Sequence, residues 1–293
     1  MSVRKRLTTR AINAMTRPAV APNPFAPTLE QRVSGKTALV TGASSGIGRA
    51  LALRLGRAGA TVLVTARRAE ELDLVVKEIE DAGGTAYSLP ADLAEEDGVN
   101  ALADRVLAEH GAPDVLVLNA GRSIRRSIAR SEHRLHDYDR ALRINYLGAV
   151  GLTLRLLPGM RERRSGHVLT SSSVGVQSDL PRFSAYIGSK AALDAFLRVA
   201  AVECLADRVK FTIVHLPLVD TEMIGPTGWD GFESLSVDEA ADMIAEAIRR
   251  QPDHLGTALG NLTAAGITLA PRTFRRGLHY FHRAVPESDA SKG

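Results

Sequence analysis

Tyr186 and Lys190 lie four residues apart, in a pattern that predicts a helix over residues 184–206. Residues at this spacing share one helical face, so the phenol and the ammonium would be neighbours. A nearby ammonium favours the phenolate, which lowers the pKa of a tyrosine from about 10 towards neutrality. A phenol with such a pKa can act as a general acid or base. The pair therefore predicts proton-transfer chemistry.

A serine hydroxyl is predicted to lie close to this pair. Ser173 stands thirteen residues before Tyr186, at the end of an apolar run over 167–172 that predicts a strand. Its hydroxyl could bind the carbonyl group of a substrate. Ser171 and Ser172 precede it directly, so the serine that takes this role is ambiguous.

A glycine-rich turn forms the second candidate site, between an apolar run over 37–41 and a helical pattern over 47–58. Gly42 can make the tight turn, Gly46 lets the backbone approach a pyrophosphate, and Gly48 lets the helix pack close to the strand. The N–H groups at the helix start would face the anion. The residues assigned to this phosphate site are Gly42, Ser44, Ser45, Gly46, Ile47 and Gly48.

Strands and helices alternate between residues 35 and 250. Strands are predicted at 37–41, 61–66, 85–89, 114–118, 167–172 and 209–215. Helices are predicted at 47–58, 69–82, 95–110, 135–163, 184–206 and 237–250. This alternation is typical of an α/β fold with a doubly wound, Rossmann-like parallel sheet covered on both faces. Ligands of such sheets bind at the carboxyl ends of the strands.

The predicted single domain, 35–250, has an extension at each end. Residues 1–34 are basic and contain several prolines, and predict either a disordered tail or a short surface helix followed by an extended linker. Residues 251–293 form a basic amphipathic extension that could cover the pocket, swap onto a neighbouring subunit or lie on a membrane.

Composition limits the class of protein. Hydrophobic residues make up 45% of the chain and charged residues 24%, which is ordinary for a globular domain. One cysteine, Cys204, excludes an internal disulfide and suits a reducing compartment. We expect a soluble cytoplasmic protein that does not bind nucleic acid, although its basic ends could contact anionic lipid. His279 and His282 lack further ligands at a suitable spacing, so no metal site is expected.

Five motifs occur in one order: the turn over 41–48, Asn119-Ala120-Gly121, Asn145, Ser173, and Tyr186-x-x-x-Lys190. In these motifs, residues 35–250 resemble the classical short-chain dehydrogenases/reductases. The resemblance implies a nicotinamide dinucleotide cofactor, and a homodimer or homotetramer assembled through the helices at 135–163 and 184–206.

The resemblance also implies roles for individual residues. Tyr186 would donate a proton to the substrate carbonyl during reduction, and Lys190 would lower the pKa of Tyr186 and hold the nicotinamide ribose. Ser173 would polarise the carbonyl, because the thirteen-residue spacing to Tyr186 favours it, and Ser172 is the alternative. Asn145 would hold a water of the proton relay. Further implied cofactor contacts are Asp92, Leu93, Asn119, Ala120, Gly121, Pro217, Val219 and Thr221. The family's Pro-Gly pair reads Pro217-Leu218 here, which we expect to alter the loop and not the cofactor.

The end of the second predicted strand favours NADP(H). An acidic residue there would select NAD, but the sequence has Ala66 followed by Arg67. Arg67 can contact a phosphate at two points, and Ser44 could add a hydroxyl. The alternative is that Arg67 is a solvent-exposed surface residue that binds no phosphate.

The predicted substrate is apolar. Met223 and Ile224 lie in a glycine-containing segment, 217–235, where the family has a mobile lid, and Phe183 adds to one side. These residues could instead only pack the lid against the domain. The arginines between 122 and 130 could bind the phosphates of a coenzyme A thioester or an acyl carrier, or form a solvated basic loop.

A closer resemblance is to the reductase domain of bacterial fatty acyl-CoA and fatty aldehyde reductases. It rests on four stretches: 119–127, 172–177, 181–186 and 217–221. Because those reductases carry a second domain without counterpart here, aldehyde or ketone reduction is favoured over direct reduction of acyl-CoA. The predicted function is NADPH-dependent reduction of an apolar aldehyde, ketone or acyl-thioester carbonyl. The alternatives are an oxidative alcohol or hydroxysteroid dehydrogenase, and a non-catalytic NADP-binding module that docks on a membrane or partner.

Overall fold

A computed structural model describes residues 26–223 and 234–284. Seven strands form one sheet in the order β3-β2-β1-β4-β5-β6-β7, and every neighbouring pair is parallel. The strands are β1 (Thr37–Thr41), β2 (Thr61–Thr65), β3 (Thr85–Ser88), β4 (Val115–Leu118), β5 (Gly166–Ser173), β6 (Val209–Leu216) and β7 (His254–Leu255). The predicted doubly wound parallel sheet is confirmed. Only β7 was not predicted, because two residues are too few to show a period.

Eleven α-helices occur in the described ranges. They are α1 (Leu29–Val33), α2 (Gly46–Arg57), α3 (Ala69–Asp81), α4 (Glu96–His110), α5 (Leu135–Leu142), α6 (Gly148–Glu162), α7 (Val174–Ser178), α8 (Ser184–Glu203), α9 (Val237–Arg250), α10 (Ala258–Leu269) and α11 (Pro271–Ala284). The predicted helix over 135–163 is interrupted by a π-helical turn at Arg143–Leu147, which joins α5 to α6. None of the described helices combines the length and the apolar character needed to cross a membrane.

Two hydrophobic cores cover the sheet. Successive residues of β1 point to opposite faces, so Val40 joins one core and Leu39 the other. Helices α2, α3 and α9 pack on the Val40 face, and α4, α6 and α8 pack on the Leu39 face. Because both faces are covered, β1, β2 and β4 are continuously apolar between their first and last residues.

The strand order reverses between β1 and β4. From β1 the chain moves outwards to β2 and β3, and then returns to add β4 on the other side of β1. In sheets of this kind a crevice opens at the carboxyl ends of the two strands where the direction changes. The glycine-rich turn after β1 and the Asn119 segment after β4 both lie at this point.

Parts of both predicted extensions pack on the domain. Helix α1 begins at a capping box formed by Thr28 and Gln31, and its Val33 is fully buried. Arg249 of α9 donates hydrogen bonds to the carbonyls of Ala26 and Pro27. At the other end, β7 extends the sheet and α10 and α11 follow it. Parts of residues 26–34 and 251–284 thus pack against the predicted domain, and the division of the chain at residues 34 and 250 stays a prediction.

Candidate active site

Helix α8 and the end of β5 bring the predicted proton-transfer residues together. Tyr186 lies in the first turn of α8 and makes a hydrogen bond with Ser173, the last residue of β5. Lys190, one turn further along, is buried, and its Nζ donates to the carbonyl oxygen of Ser171 at 2.8 Å. The phenol, the ammonium and one serine hydroxyl thus share one wall of the cleft.

Desolvation dominates the electrostatics of this pair. It raises the pKa of Tyr186 to about 12, against the effect of the hydrogen bond with Ser173 and with a further rise from the charge of Asp194. Burial lowers the pKa of Lys190 to about 8, against the charge of Asp194. In the protein on its own, desolvation decides the direction of the shift in the Tyr186 pKa, and the predicted lowering of this pKa by Lys190 stays a prediction. At neutral pH the phenol holds its proton.

The alternation of side chains along β5 separates the three serines. Ser172 is buried, and its Oγ donates to Asp194 of α8 at 2.9 Å. Ser171 Oγ donates to Asn119 Oδ1 at 3.1 Å. Ser173 Oγ caps α7 by accepting from the N–H of Gly175 at 3.0 Å, which leaves its own hydrogen free to be donated towards Tyr186. Ser173, and not Ser172, faces Tyr186.

Asn145 lies inside the π-helical turn, a feature that often marks functional positions in helices. Its Oδ1 accepts from the N–H of Arg122 at 2.7 Å, and its Nδ2 donates to Ser189 Oγ at 2.8 Å. Ser189 Oγ in turn donates to the carbonyl oxygen of Tyr186 at 2.7 Å. Asn145 therefore joins the segment after β4 to the start of α8, and its predicted role in holding a relay water stays a prediction.

The glycine-rich turn has the geometry of an anion-binding loop. Gly42 and Gly46 have positive φ angles of 65° and 53°. A Cβ added to Gly48 would lie 2.2 Å from the carbonyl oxygen of Gly42, so only glycine lets α2 start this close to β1. Asn119 Nδ2 donates to the carbonyl oxygens of Thr41 and Gly42, at 3.1 and 3.3 Å, which fixes the turn against β4. The turn fits the pyrophosphate of a dinucleotide.

The predicted cofactor and substrate residues surround one cleft, with few exceptions. Its lining includes Gly42, Ser44, Ser45, Gly46, Ile47, Arg67, Asp92, Leu93, Asn119, Ala120, Gly121, Ser173, Phe183, Tyr186, Lys190, Pro217, Val219, Thr221 and Met223. Gly48 and Asn145 lie behind this lining and support it. Ile224 lies outside the described residues.

Two arginines follow β2 and differ in their partners. Arg68 pairs with Glu71 at 2.5 Å. Arg67 is exposed, lines the cleft and has no acidic partner among the described residues. Ser44, on the glycine-rich turn, lines the same cleft. An unpaired guanidinium at this strand end suits a phosphate group.

The mouth of the cleft is apolar and includes residues that the sequence analysis did not identify. Leu180, Phe183 and Met223 line one part of it. Leu278 and Phe281 of α11 also line it, and Arg182 Nη2 donates to the carbonyl oxygen of His282 at 2.9 Å, near the end of α11. The spacing of Leu278 and Phe281 signals one face of a helix, but not which surface that face covers.

The arginines after Asn119 do not form a uniformly solvated loop. Arg125 is buried, and Arg126 Nε lies 2.9 Å from Asp137. Burial would raise the pKa of Asp137, but hydrogen bonds and charges from Arg134 and Arg126 lower it below its usual value. Arg122 lines the cleft. In the described part of the chain, no cluster of His, Cys, Asp or Glu is arranged to hold a metal ion.

Comparison with known proteins identifies relatives over most of the chain. The family model for short chain dehydrogenases matches residues 36–229. An uncharacterized oxidoreductase of Mycobacterium tuberculosis is 45% identical over 269 residues, which cover 90% of this chain and 79% of that protein. A fatty acyl-CoA reductase of Acinetobacter baylyi is 45% identical over 264 residues, 90% of each chain.

Solved structures agree with these matches. A metagenomic short-chain oxidoreductase in complex with NADP is 33% identical, with a TM-score of 0.65 over 76% of this chain and 93% of that one. A 7α-hydroxysteroid dehydrogenase complexed with NADH and 7-oxo glycochenodeoxycholic acid is 25% identical, with a TM-score of 0.70 over 75% and 89% of the two chains. The fold, the motifs in the cleft and these matches show that the chain is an oxidoreductase of the short-chain dehydrogenase/reductase family.

Proposed function

We propose that the protein is an NADPH-dependent carbonyl reductase that acts on an apolar aldehyde, ketone or acyl thioester, with Tyr186 as the proton donor. The observation that carries the proposal is the placement of a protonated Tyr186 beside the Ser173 hydroxyl, in a cleft with an unpaired arginine near one end and an apolar mouth. This cleft matches the chemistry of a charged cofactor beside an uncharged substrate.

The chain's own residues would polarise the carbonyl and deliver a proton. Ser173 and Tyr186 can both donate hydrogen bonds to one carbonyl oxygen, which makes its carbon more electrophilic. Bound NADPH would supply the hydride. Tyr186 keeps its proton until negative charge develops on the substrate oxygen, and then transfers it. With an acyl thioester, the C–S bond of the resulting hemithioacetal would then break, its hydroxyl proton would pass to the sulfur, and a thiol and an aldehyde would be released. The Lys190 ammonium, one turn away on α8, would stabilise the phenolate that remains.

The cofactor-binding residues fall into three groups. The glycine-rich turn would hold the pyrophosphate with its backbone N–H groups. Arg67 and Ser44 would hold the adenosine 2′-phosphate, which selects NADP(H) over NAD(H). Lys190 and Tyr186 would bind the nicotinamide ribose, with Asn145 supporting α8 behind them.

Several observations support a long apolar substrate. Phe183, Met223, Leu278 and Phe281 line the mouth of the cleft. The Acinetobacter relative is named a fatty acyl-CoA reductase, and the match covers 90% of its own length, which leaves no room there for a second domain. The criterion of a second domain does not apply to this relative, so an acyl thioester is as strong a candidate as an aldehyde. An oxidative hydroxysteroid dehydrogenase is the second candidate, which the 7α-hydroxysteroid dehydrogenase structure supports.

Two surfaces support contacts with other molecules. The first is on α8, where Val199 and Val202 are apolar and exposed. This helix is one of the two through which the family resemblance implies a homodimer or homotetramer. Residues 254–284 contain no acidic residue, and the exposed outer side of α11 carries arginines beside Tyr280. This composition suits peripheral contact with anionic lipid.

The first test follows NADPH oxidation at about 340 nm with long-chain aldehydes, fatty acyl-CoAs, 3-oxoacyl thioesters and bulky ketones. Turnover of one class is expected to fall by at least about a hundredfold in Tyr186→Phe, because a general acid contributes a factor of about 10²–10⁴. Arg67→Asp should reverse the preference for NADPH over NADH. Arg57→Asp serves as its matched control, because Arg57 is an exposed arginine at the end of α2 that does not line the cleft.

The outcomes separate the parts of the proposal. Full activity in Tyr186→Phe would remove this residue as the proton donor. An unchanged cofactor preference in Arg67→Asp would remove the 2′-phosphate site. Tight binding of NADPH without turnover of any carbonyl or alcohol would favour the non-catalytic module.

A further inference from the structure

A chain of buried polar groups runs from α8 to the edge of the sheet. Asp194 on α8, only 1% exposed, accepts a hydrogen bond from Ser172 Oγ at 2.9 Å. The same carboxylate oxygen, Oδ2, lies 2.9 Å from His215 Nε2. His215 Nδ1 lies 2.6 Å from Nε2 of His254, whose side of β7 reaches solvent. The family roles assigned to the cleft use none of these side chains.

The hydrogen-bond partners determine where the protons lie. Ser172 and His215 Nε2 can both donate to Asp194, and an ionised carboxylate is acceptor-only, so the bonds match if Asp194 is charged. A neutral His215 with its proton on Nε2 must accept at Nδ1, and His254 Nε2–H can donate there. Burial and the neighbouring His215 lower the pKa of His254, which keeps it neutral near neutral pH. Each bond from Ser172 through Asp194 and His215 to His254 then has one donor and one acceptor. The 3.4 Å contact between Gln177 Nε2 and His254 Nε2 joins two donors in this state and is not a hydrogen bond.

The charge on Asp194 acts on the catalytic pair. Asp194 lies four residues after Lys190 on α8, so the two side chains share a helical face. Its second oxygen, Oδ1, is buried and has no hydrogen-bond partner among the described residues. Burial lowers the pKa of Lys190, and the charge of Asp194 is the one influence identified that opposes this effect. It therefore favours the ammonium form of a lysine that burial would otherwise neutralise.

The surroundings of Asp194 contain few other ionisable groups. From α8 itself, Tyr186 and Lys190 interact with its charge. His215 approaches from β6, and β7 contributes His254 through His215. Strand β5 contributes the hydroxyl of Ser172. On α7 the uncharged Gln177 lies 3.4 Å from His254, and it donates to the uncharged Asn261 of α10.

We propose that Asp194, held ionised by Ser172 and by the His215–His254 pair, is a positioning residue that keeps Lys190 as an ammonium beside Tyr186. This inference rests on the proposed roles of Tyr186 and Lys190. In this scheme Asp194, behind the cleft, keeps Lys190 positively charged while the Tyr186 phenolate forms. Asp194 touches neither substrate nor cofactor in this scheme.

The test is the pH profile of carbonyl reduction by Asp194→Asn, an isosteric change that removes the charge. Without this charge Lys190 should lose its proton at lower pH, so the alkaline limb of the reductive rate should move to lower pH by about half a unit or more. Glu203→Gln is the matched control, because it removes the same charge from the exposed last residue of α8. Its profile should coincide with that of the unmodified protein. A uniform loss of rate in Asp194→Asn, with an unmoved limb, would overturn the proposal.

A second measurement needs no substrate and is made on the unmodified protein, with one variant used only for assignment. Nitrogen-15 NMR of labelled histidine in the unmodified protein should show His215 as the neutral Nε2–H tautomer near pH 7, with Nδ1 unprotonated. His215→Gln provides the assignment. A bare Nε2 would mean that Asp194 carries the proton, and would overturn the proposal even if no carbonyl substrate were found. If instead the expected tautomer were present but no carbonyl were reduced, the proposed function would fail while the ionised Asp194 would stand.

Discussion

Burial moves the pKa values of Tyr186 and Lys190 in opposite directions, because it disfavours the charged form of each side chain. The phenol becomes a weaker acid, with a pKa of about 12, and the lysine a weaker base, with a pKa of about 8. Near neutral pH the resting pair therefore consists of a neutral phenol and a buried ammonium. Burying this ammonium lowers the stability of the folded protein. The same positive charge would stabilise the Tyr186 phenolate when it forms.

This cost predicts a pH-dependent gain in stability for Lys190→Met. The folded-state pKa of about 8 lies below the ordinary 10.5, so between these values the unfolded chain binds more protons and stability rises with pH. At pH 7 we expect the variant to be more stable by about 1–3 kcal/mol, after loss of the hydrogen bond to Ser171. The gain should shrink above pH 8 and vanish near 10.5. Urea unfolding across this range checks it, and a gain independent of pH would contradict it.

At the scale of elements, three strand ends and one helix start must meet within a few ångströms. Asn119 connects β4 to the turn after β1 and to Ser171 of β5. The π-helical turn places Asn145 between the segment after β4 and α8. The side chains of Asn119 and Asn145 thus connect the glycine-rich turn to the proton-transfer residues. A small displacement of β4 or of α8 should therefore affect both parts of the site.

Glycine substitutions test how closely these elements approach. Gly48→Ala would place a methyl group against the Gly42 carbonyl, so we expect a loss of at least about 2 kcal/mol in unfolding free energy and weaker NADPH binding. Gly188→Ala is the matched control on α8, where an added Cβ meets no atom within 4 Å. Helix propensity predicts a gain of about 0.5–1 kcal/mol there. Urea unfolding and NADPH titration measure both variants, and equal effects would refute the close-packing argument.

At the scale of the whole molecule, the C-terminal helices complete the cleft. Helix α11 returns to the mouth of the cleft, where Leu278 and Phe281 join its lining and Arg182 binds the carbonyl of His282. The outer side of the same helix is basic and exposed. One segment at the end of the chain therefore bounds the proposed substrate site on one side and meets solvent on the other.

A pair of neighbouring substitutions tests the contact of α11 with substrate. Phe281→Ser should raise KM for a long-chain aldehyde or thioester by about tenfold or more, because it removes a large apolar surface from the cleft mouth. Tyr280→Ser, at the adjacent exposed position, should leave KM unchanged. Short-chain substrates should not distinguish the two variants. Equal KM values for all substrates would place the acyl chain elsewhere.

Assembly is tested on the exposed side of α8. Val202 is 76% exposed, and Val199 lies near it on the same helix. If this surface forms the proposed homo-oligomer, Val202→Glu should reduce the molar mass in solution, because burying a charge at an apolar interface is costly. Light scattering coupled to gel filtration measures the mass. A monomeric unmodified protein, or an unchanged mass in the variant, would contradict the proposed interface.

Much of the architecture follows from local sequence patterns. Six of the seven strands and the helices that cover the sheet were predictable, because buried parallel strands are short apolar runs and the helices between them are amphipathic. The glycine spacing after β1 indicated a close approach of α2, since only glycine lacks the Cβ that would prevent it. The pairing of Tyr186 with Lys190 likewise depends only on helical spacing.

Tertiary structure decided what depends on long-range contacts. Which of the three serines faces Tyr186 follows from the register of β5 against Asp194 and Asn119, which no local pattern specifies. The rise in the pKa of Tyr186 comes from desolvation, a property of the packed surroundings and not of the spacing to Lys190. The Asp194–His215–His254 chain joins α8 to two strands, and α11 reaches the cleft from nearly a hundred residues beyond Tyr186. Sequence period identifies the buried face of a helix, but only the folded chain determines what that face touches.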